Sequence, residues 1–227
     1  MIGFYDYTVI LTYLSLVSAS TGIMVALNGG GHPYIGIFFL LFCGLCDAFD
    51  GKVARTKKDR SQEERSFGVQ IDSLSDLVAF GVLPAAIGSA MLRWSSFMHR
   101  VYGTPLEKPL ELGWTAILIL YILAAMIRLA YYNVTEEERQ KTEDGVRKYY
   151  TGLPVTSAAL IFPLILLLQY VIPADVTPVY FATALVCAIA FLSPVRIRKP
   201  GLRGVLILVG IGAVEFLLIL IGRILRH

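Results

Sequence analysis

Charge is scarce in this sequence. Only 16% of its 227 residues are Asp, Glu, Lys or Arg, where a soluble globular domain carries about 25%. So few charges do not furnish a solvated surface, and 56% hydrophobic residues with a mean hydropathy of +0.67 point to lipid contact instead. Cysteine and histidine are scarcer still, at three each. Three cysteines make no disulfide framework. Cys43 and Cys46 have C-x-x-C spacing, but they sit in an apolar run and lack the second pair a zinc site needs. With Cys187 they read as small buried hydrophobes. His32, His99 and His227 are scattered along the chain and support no Ser-His-Asp grouping. Internal repeats and low-complexity tracts are also missing, which leaves an inverted-repeat transporter without support. A net charge of +3 and a pI near 8.7 give no reason to invoke nucleic acid. Residues 1–16 lack a basic leader and a small-residue cleavage site, so no cleavable signal is expected.

What is abundant is long apolar runs. A spanning helix needs about 20 mostly apolar residues. Candidates fall at 8–28, 34–55, 68–92, 113–132, 153–171 and 177–194, with a seventh at 204–224. Phe4, Tyr5 and Tyr7 suit the headgroup zone before the first of them. Gly29-Gly30-Gly31-His32-Pro33 reads as a turn, as does the stretch bracketed by Pro173 and Pro178. The charged stretch Thr135–Lys148 reads as a helix or loop outside the membrane. A single membrane domain over 1–227 follows, with a core in 1–200 and an added C-terminal helix in 201–227.

The basic residues orient these spans. With the N-terminus in the cytoplasm, three groups face inward: Lys52, Arg55, Lys57, Lys58, Arg60 and Arg65; then Arg128, Arg139, Lys141, Arg147 and Lys148; then Arg196, Arg198, Lys199 and Arg203. Only Arg93, Arg100, Lys108, Arg223 and Arg226 face outward. The positive-inside rule favours that orientation.

Ionisable residues inside spans are costly and usually functional. Here Asp47 and Asp50 sit near the cytoplasmic end of the second span, and Asp72 and Asp76 near the same end of the third. Spacings of three and four residues put each pair on one helix face. Two adjacent antiparallel helices then gather four carboxylates. Close carboxylates in a poorly solvated site need positive charge. Nearby Lys and Arg can supply part of it, and hard divalent cations such as Mg²⁺ or Mn²⁺, which prefer oxygen ligands, do so better. Two such ions also suit in-line displacement at phosphorus. Gly51, Ala54 and Gly68 leave the helix surface bare beside the acids, and Arg55 can present a forked contact to a phosphate.

The run Asp47-Ala-Phe-Asp50-Gly51-Lys-Val-Ala54-Arg55, followed by Gly68-Val-Gln-Ile-Asp72-Ser-Leu-Ser-Asp76, resembles the signature of the CDP-alcohol phosphotransferase family, D-x-x-D-G-x-x-A-R … G-x-x-x-D-x-x-x-D. The twelve residues between Arg55 and Gly68 are more than the family commonly has and look like a longer cytoplasmic loop within Thr56–Phe67. The resemblance implies an all-α integral membrane fold of six helices, here with an extra C-terminal helix. It also implies two divalent metal ions, a homodimer and a site open to the cytoplasm of what reads as a prokaryotic cell membrane. It implies metal binding by Asp47, Asp50, Asp72 and Asp76, general base action by Asp76, and contacts to the CDP moiety from Gly51, Ala54, Arg55 and Gly68.

Other segments bear on the acceptor. Residues 72–84, Arg128-Leu-Ala-Tyr131-Tyr132-Asn133 and Tyr150-Thr-Gly152-Leu-Pro-Val155 look like stretches of the membrane-embedded phosphatidylserine synthases within that family. The absence of an H-x-K-x₄-D pattern disfavours the covalent-histidine type. This resemblance implies CDP-diacylglycerol as donor and L-serine as acceptor. Arg128 and Asn133 are candidates to bind the amino acid, and Arg196 and Arg198 are further candidates. The alternatives are membrane anchoring for the arginines and an aromatic belt for Tyr131, Tyr132, Tyr149 and Tyr150. Inositol phosphate or glycerol phosphate as acceptor and CDP-archaeol as donor remain open, and a divalent cation transporter is the alternative of another class. Ser15, Ser18, Ser20 and Thr21 read as helix-to-helix hydrogen-bonding residues. Glu215 lies inside the last apolar run without an assigned role.

Overall fold

The computed structural model describes residues 3–28, 33–142, 149–172, 174–198 and 202–225. The expected turn at Gly29–His32 lies outside the described residues, as do Arg147, Lys148, Pro173, Lys199, Arg226 and His227. The side chains of Lys141 and Arg223 also lie outside them.

The chain is an integral membrane protein built from helices. A 3₁₀ turn at Tyr7–Val9 leads into α1 (Ile10–Leu27), followed by α2 (Pro33–Ala54). Pro33 opens α2 at the first helical position, where its missing N–H costs nothing. α3 (Gln62–Asp76) and α4 (Leu83–Trp94) form one rod joined by a π-helical segment, Leu77–Val82. A short α5 (Ser96–Val101) precedes α6 (Glu107–Thr142). After these come α7 (Ala158–Val171), α8 (Thr177–Leu192) and α9 (Leu202–Leu225). Among the described residues, Tyr7–Leu27, Gln62–Trp94, Glu107–Arg139 and Arg203–Gly222 are long and apolar enough to cross a membrane. The apolar helices Val155–Gln169 and Thr177–Leu192 are shorter. α7 is shorter than the expected 153–171 because its entrance is a separate 3₁₀ turn, Val155–Ser157.

Two boundaries differ instructively from expectation. The second half of the longer loop read within Thr56–Phe67, from Gln62 on, is helix. Ser61 caps α3 by accepting from the Glu64 N–H at 3.1 Å, and Glu64 accepts from the Ser61 N–H at 2.9 Å. This reciprocal capping box starts the helix at Gln62. α6 runs well past 132, carried by an Arg139–Glu136 ion pair at 2.7 Å within the charged stretch.

α2 is central, packing against α1, α4, α7 and α9. Small residues allow this. A Cβ on Gly44 would stand 2.6 Å from the Ala159 Cβ on α7, so only glycine admits that approach. Hydroxyls tie the neighbouring helices: Ser18 donates to the Phe39 carbonyl at 3.2 Å, and Ser75 to the Thr12 carbonyl at 3.1 Å. All three cysteines are free and buried.

The π segment has a local cause. Pro84 carries no N–H, so the carbonyl of Phe80, four residues earlier, loses its α-helical donor. The buried Tyr121 hydroxyl on α6 donates to that carbonyl at 2.6 Å, and the Tyr180 hydroxyl on α8 donates to the Pro84 carbonyl at 2.7 Å. Proline thus removes one rung of the ladder a turn after Asp76, and the Tyr121 hydroxyl meets the carbonyl it leaves.

Two three-residue strands complete the fold. β1 (Tyr149–Thr151) pairs antiparallel with β2 (Arg196–Arg198), with Tyr150 opposite Ile197. The pairing ties the entrance of α7 to the exit of α8. Gly152 makes the turn at φ +78, and a Cβ there would meet the Phe191 carbonyl oxygen at 2.6 Å, which reserves the position for glycine. Between α7 and α8, Asp175 accepts from the Ser95 hydroxyl at 2.6 Å, the Thr177 N–H at 2.9 Å and the Phe97 N–H at 3.0 Å. Partial burial works against its charge, but these donors outweigh it and hold the carboxyl at about 2.

Replacing Tyr121 by phenylalanine leaves a buried carbonyl unpaired at the π turn. The expected cost is about 1–3 kcal/mol, read as a lower thermal unfolding midpoint in detergent.

Candidate active site

α2 and α3 form a helical hairpin whose connection, residues 55–61, is short. Asp47 and Asp50 of α2 and Asp72 and Asp76 of α3 line one cavity of about 1350 Å³. The Asp50 and Asp72 carboxyls come within hydrogen-bonding reach of each other, and all four acids lie within electrostatic range of one another. The Gly51 N–H donates to Asp50. Asp76 is 8% exposed, directly ahead of the π turn.

Basic side chains share this cavity: Lys52, Arg55, Arg128 and Arg198 are part of its lining. Elsewhere Lys57 pairs with Asp6 and Glu64, and Arg139 with Glu136. Lys57 is committed to fastening the N-terminal segment to the hairpin, at 2.7 Å from Asp6 and 2.8 Å from Glu64. That contact, with help from Thr8, holds the Asp6 carboxyl at about 2. Among the described residues, no three Asp, Glu, His or Cys side chains already form a ligand group that could hold an ion. The donor set nonetheless fits a hard divalent cation: four carboxylates, all oxygen.

The remaining expected residues divide. Gly51, Arg55, Arg128 and Arg198 line the same cavity as the acids. Arg128 is 5% exposed and stacks over the Tyr132 ring at 5.4 Å, so it faces the interior and does not anchor at a lipid surface. Ala54, Gly68, Asn133 and Arg196 are not part of the cavity wall. Arg60 occupies the bare face of Gly68: a Cβ there would meet its guanidinium at 2.6 Å. Asn133 donates to the Ser73 hydroxyl at 2.6 Å and so braces α6 against the acid-bearing helix. Arg196 is exposed on β2.

Two residues were missed. Tyr132 and Tyr150, expected in an aromatic belt, line the cavity with ring centroids 5.8 Å apart. Tyr131 and Tyr149 are the exposed ones. A signal was present for Tyr132, which stands four residues after Arg128 and so shares its helix face. Tyr150 is turned inward by its pairing with Ile197, which no helical periodicity reveals.

The wall changes character with depth. Polar groups surround the acids. Below them the cavity is bounded by apolar residues of α2, α7 and α9, among them Leu41, Leu45, Leu160 and Val209. Such a site can hold a charged phosphate group at one end and a hydrocarbon group at the other.

Comparison with known proteins adds to this geometry. Residues 8–193 match the family model described as CDP-alcohol phosphatidyltransferase. The chain is 33% identical over 163 residues to the CDP-diacylglycerol–serine O-phosphatidyltransferase of Saccharomyces cerevisiae, covering 69% of this chain and 51% of that protein. It is 31% identical over 150 residues to the protein of the same name from Mycobacterium leprae, covering 66% and 43%. It is 32% identical over 148 residues to the archaetidylserine synthase of Methanothermobacter thermautotrophicus, covering 65% and 53%. The chain spans about half the length of the curated relatives it matches.

The mutual proximity of the acids gives an expectation of opposite signs. In EDTA, Asp47→Asn relieves repulsion and raises the thermal unfolding midpoint. In excess Mn²⁺ the order reverses, because the unaltered protein gains binding energy that the variant forfeits. Thermal unfolding of both proteins under both conditions checks it.

Proposed function

The chain belongs to the CDP-alcohol phosphatidyltransferase family, and from that premise we propose that it transfers the phosphatidyl group of CDP-diacylglycerol to L-serine, giving phosphatidylserine and CMP. The observation that carries the reading is four aspartates gathered in one cavity whose lining is otherwise largely apolar. A phosphate-bearing lipid matches both ends. A divalent cation transporter would leave the apolar end and the family membership without a purpose.

Asp47, Asp50, Asp72 and Asp76 hold the metals in this reading. Two Mg²⁺ or Mn²⁺ ions bound there supply neutralisation of the pyrophosphate and stabilise the attacking and leaving oxygens. Asp76 accepts the proton of the serine hydroxyl. The hydroxyl oxygen attacks the lipid-side phosphorus in line, and CMP departs with the bond's electron pair. Gly51 and Arg55 stand where the nucleotide end would lie. Ala54 and Gly68 support the same region from outside the cavity wall. Arg128 is the leading candidate for the serine carboxylate, because it is buried and faces the acids. Arg198 shares the cavity; Asn133 and Arg196 act through positioning or from the rim.

We assign the whole of 1–227 to one membrane domain, with the catalytic core in 1–200 and the additional helix in 201–227. The N-terminus and the site face the cytoplasm, following the distribution of basic residues, and the working form is a homodimer. The archaetidylserine synthase relative supports a second reading, in which CDP-archaeol is the donor. Inositol phosphate and glycerol phosphate are the competing acceptors.

The test is CMP release by purified protein given CDP-diacylglycerol and Mn²⁺, with serine, inositol phosphate and glycerol phosphate compared, and CDP-archaeol as a second donor. Serine-dependent release is expected, falling by roughly a hundred-fold or more in Asp76→Asn. Release with another acceptor alone discards serine. A burst of CMP without acceptor contradicts direct transfer.

A further inference from the structure

The family match ends at residue 193, yet α9, which lies beyond it, forms one wall of the cavity that holds the four aspartates. Val205 and Val209 stand near the polar end, and Gly212, Ala213 and Phe216 continue along the apolar end. Without α9, the groove between α2 and α7 would open to the bilayer along its length.

The apolar end also has a floor. Phe216 meets Phe38 of α2 edge to face, with ring centroids 5.0 Å apart and planes at 74°. Phe38 lies roughly two and a half turns of α2, some 14 Å along the axis, from Asp47. Between floor and acids the α9 wall is thin. Gly212 sits so close to α7 that a Cβ would reach the Leu160 side chain at 3.3 Å, and Ala213 beside it adds one methyl.

We propose that α9, through the Phe38–Phe216 contact, closes the hydrocarbon end of the cavity and sets the chain length of the CDP-linked lipid the protein accepts. The inference rests on the transfer reading above. Its physical basis is shape. A lipid chain arrives from the bilayer, which is as apolar as the cavity, so burial alone discriminates little. A chain longer than the space above the aromatic pair must fold back or displace Phe216, which is 41% exposed, from its contact with Phe38.

The experiment uses the full chain in mixed micelles and a series of CDP-diacylglycerols with graded saturated chains, reading kcat/KM for CMP release at each length. The unaltered protein should show a length beyond which kcat/KM falls. Phe216→Ala and, from the opposite helix, Phe38→Ala should raise the long-to-short ratio by roughly ten-fold, the scale on which an apolar pocket resolves chain size. Ala213→Leu should lower it. Ile207→Ala, exposed and outside the cavity wall, should leave the profile unchanged. An unaltered ratio in both phenylalanine variants, or an equal loss at every length, overturns the proposal. Failure of the unaltered protein to release CMP from any CDP-lipid overturns the transfer reading itself, and this inference with it.

Discussion

Four carboxylates share one cavity inside a membrane protein, with Arg55 and Arg128 on the same lining. Unpaired charge in such surroundings costs several kcal/mol per group, and a carboxylate in a spanning segment is expensive in its own right. The rest of the molecule reads as the means of keeping that arrangement. Lys57 is held by Asp6 and Glu64, and Arg60 lies against Gly68. An external divalent cation suits the all-oxygen set of the four acids.

The scaffold around them is correspondingly fixed. The capping box at Ser61 starts α3 at a set residue and so sets the depth of Asp72 and Asp76 relative to Asp47 and Asp50. Pro84 removes the α-helical donor of the Phe80 carbonyl one turn after Asp76, where the Tyr121 hydroxyl donates instead, and the Tyr180 hydroxyl donates to the Pro84 carbonyl. Such π segments gather near functional sites. On the opposite side, the β1–β2 pairing and the glycine turn at Gly152 bring Tyr150 and Arg198 to the same cavity from two separate connections. Local sequence signals, long-range hydroxyl bonds and one short strand pair thus converge on a single polar end.

Much of this was legible in the sequence, for identifiable reasons. Apolar run length located the helices, because the bilayer leaves few other structures available. Three- and four-residue spacing placed each aspartate pair on one face, and the hairpin had only to be antiparallel to join them. What escaped notice depends on contacts distant in sequence. The inward turn of Tyr150 is decided by a partner 47 residues away, Ile197. The π segment needed Pro84 to be set against a tyrosine on another helix. Asn133 was read as a ligand for the acceptor, but its amide is engaged with Ser73. Gly68 looked bare in sequence and is covered by a long arginine side chain. The α9 wall could not be foreseen from a family signature confined to the second and third helices.

Electron paramagnetic resonance of Mn²⁺ titrated into the purified protein addresses the four-acid site most directly. Two bound ions per chain are predicted, magnetically coupled through their proximity, with loss of the coupled signal on replacing Asp47, Asp50, Asp72 or Asp76 by asparagine. No stoichiometric binding, or binding indifferent to all four substitutions, would contradict the assignment of these aspartates as the metal site on which the proposed chemistry depends.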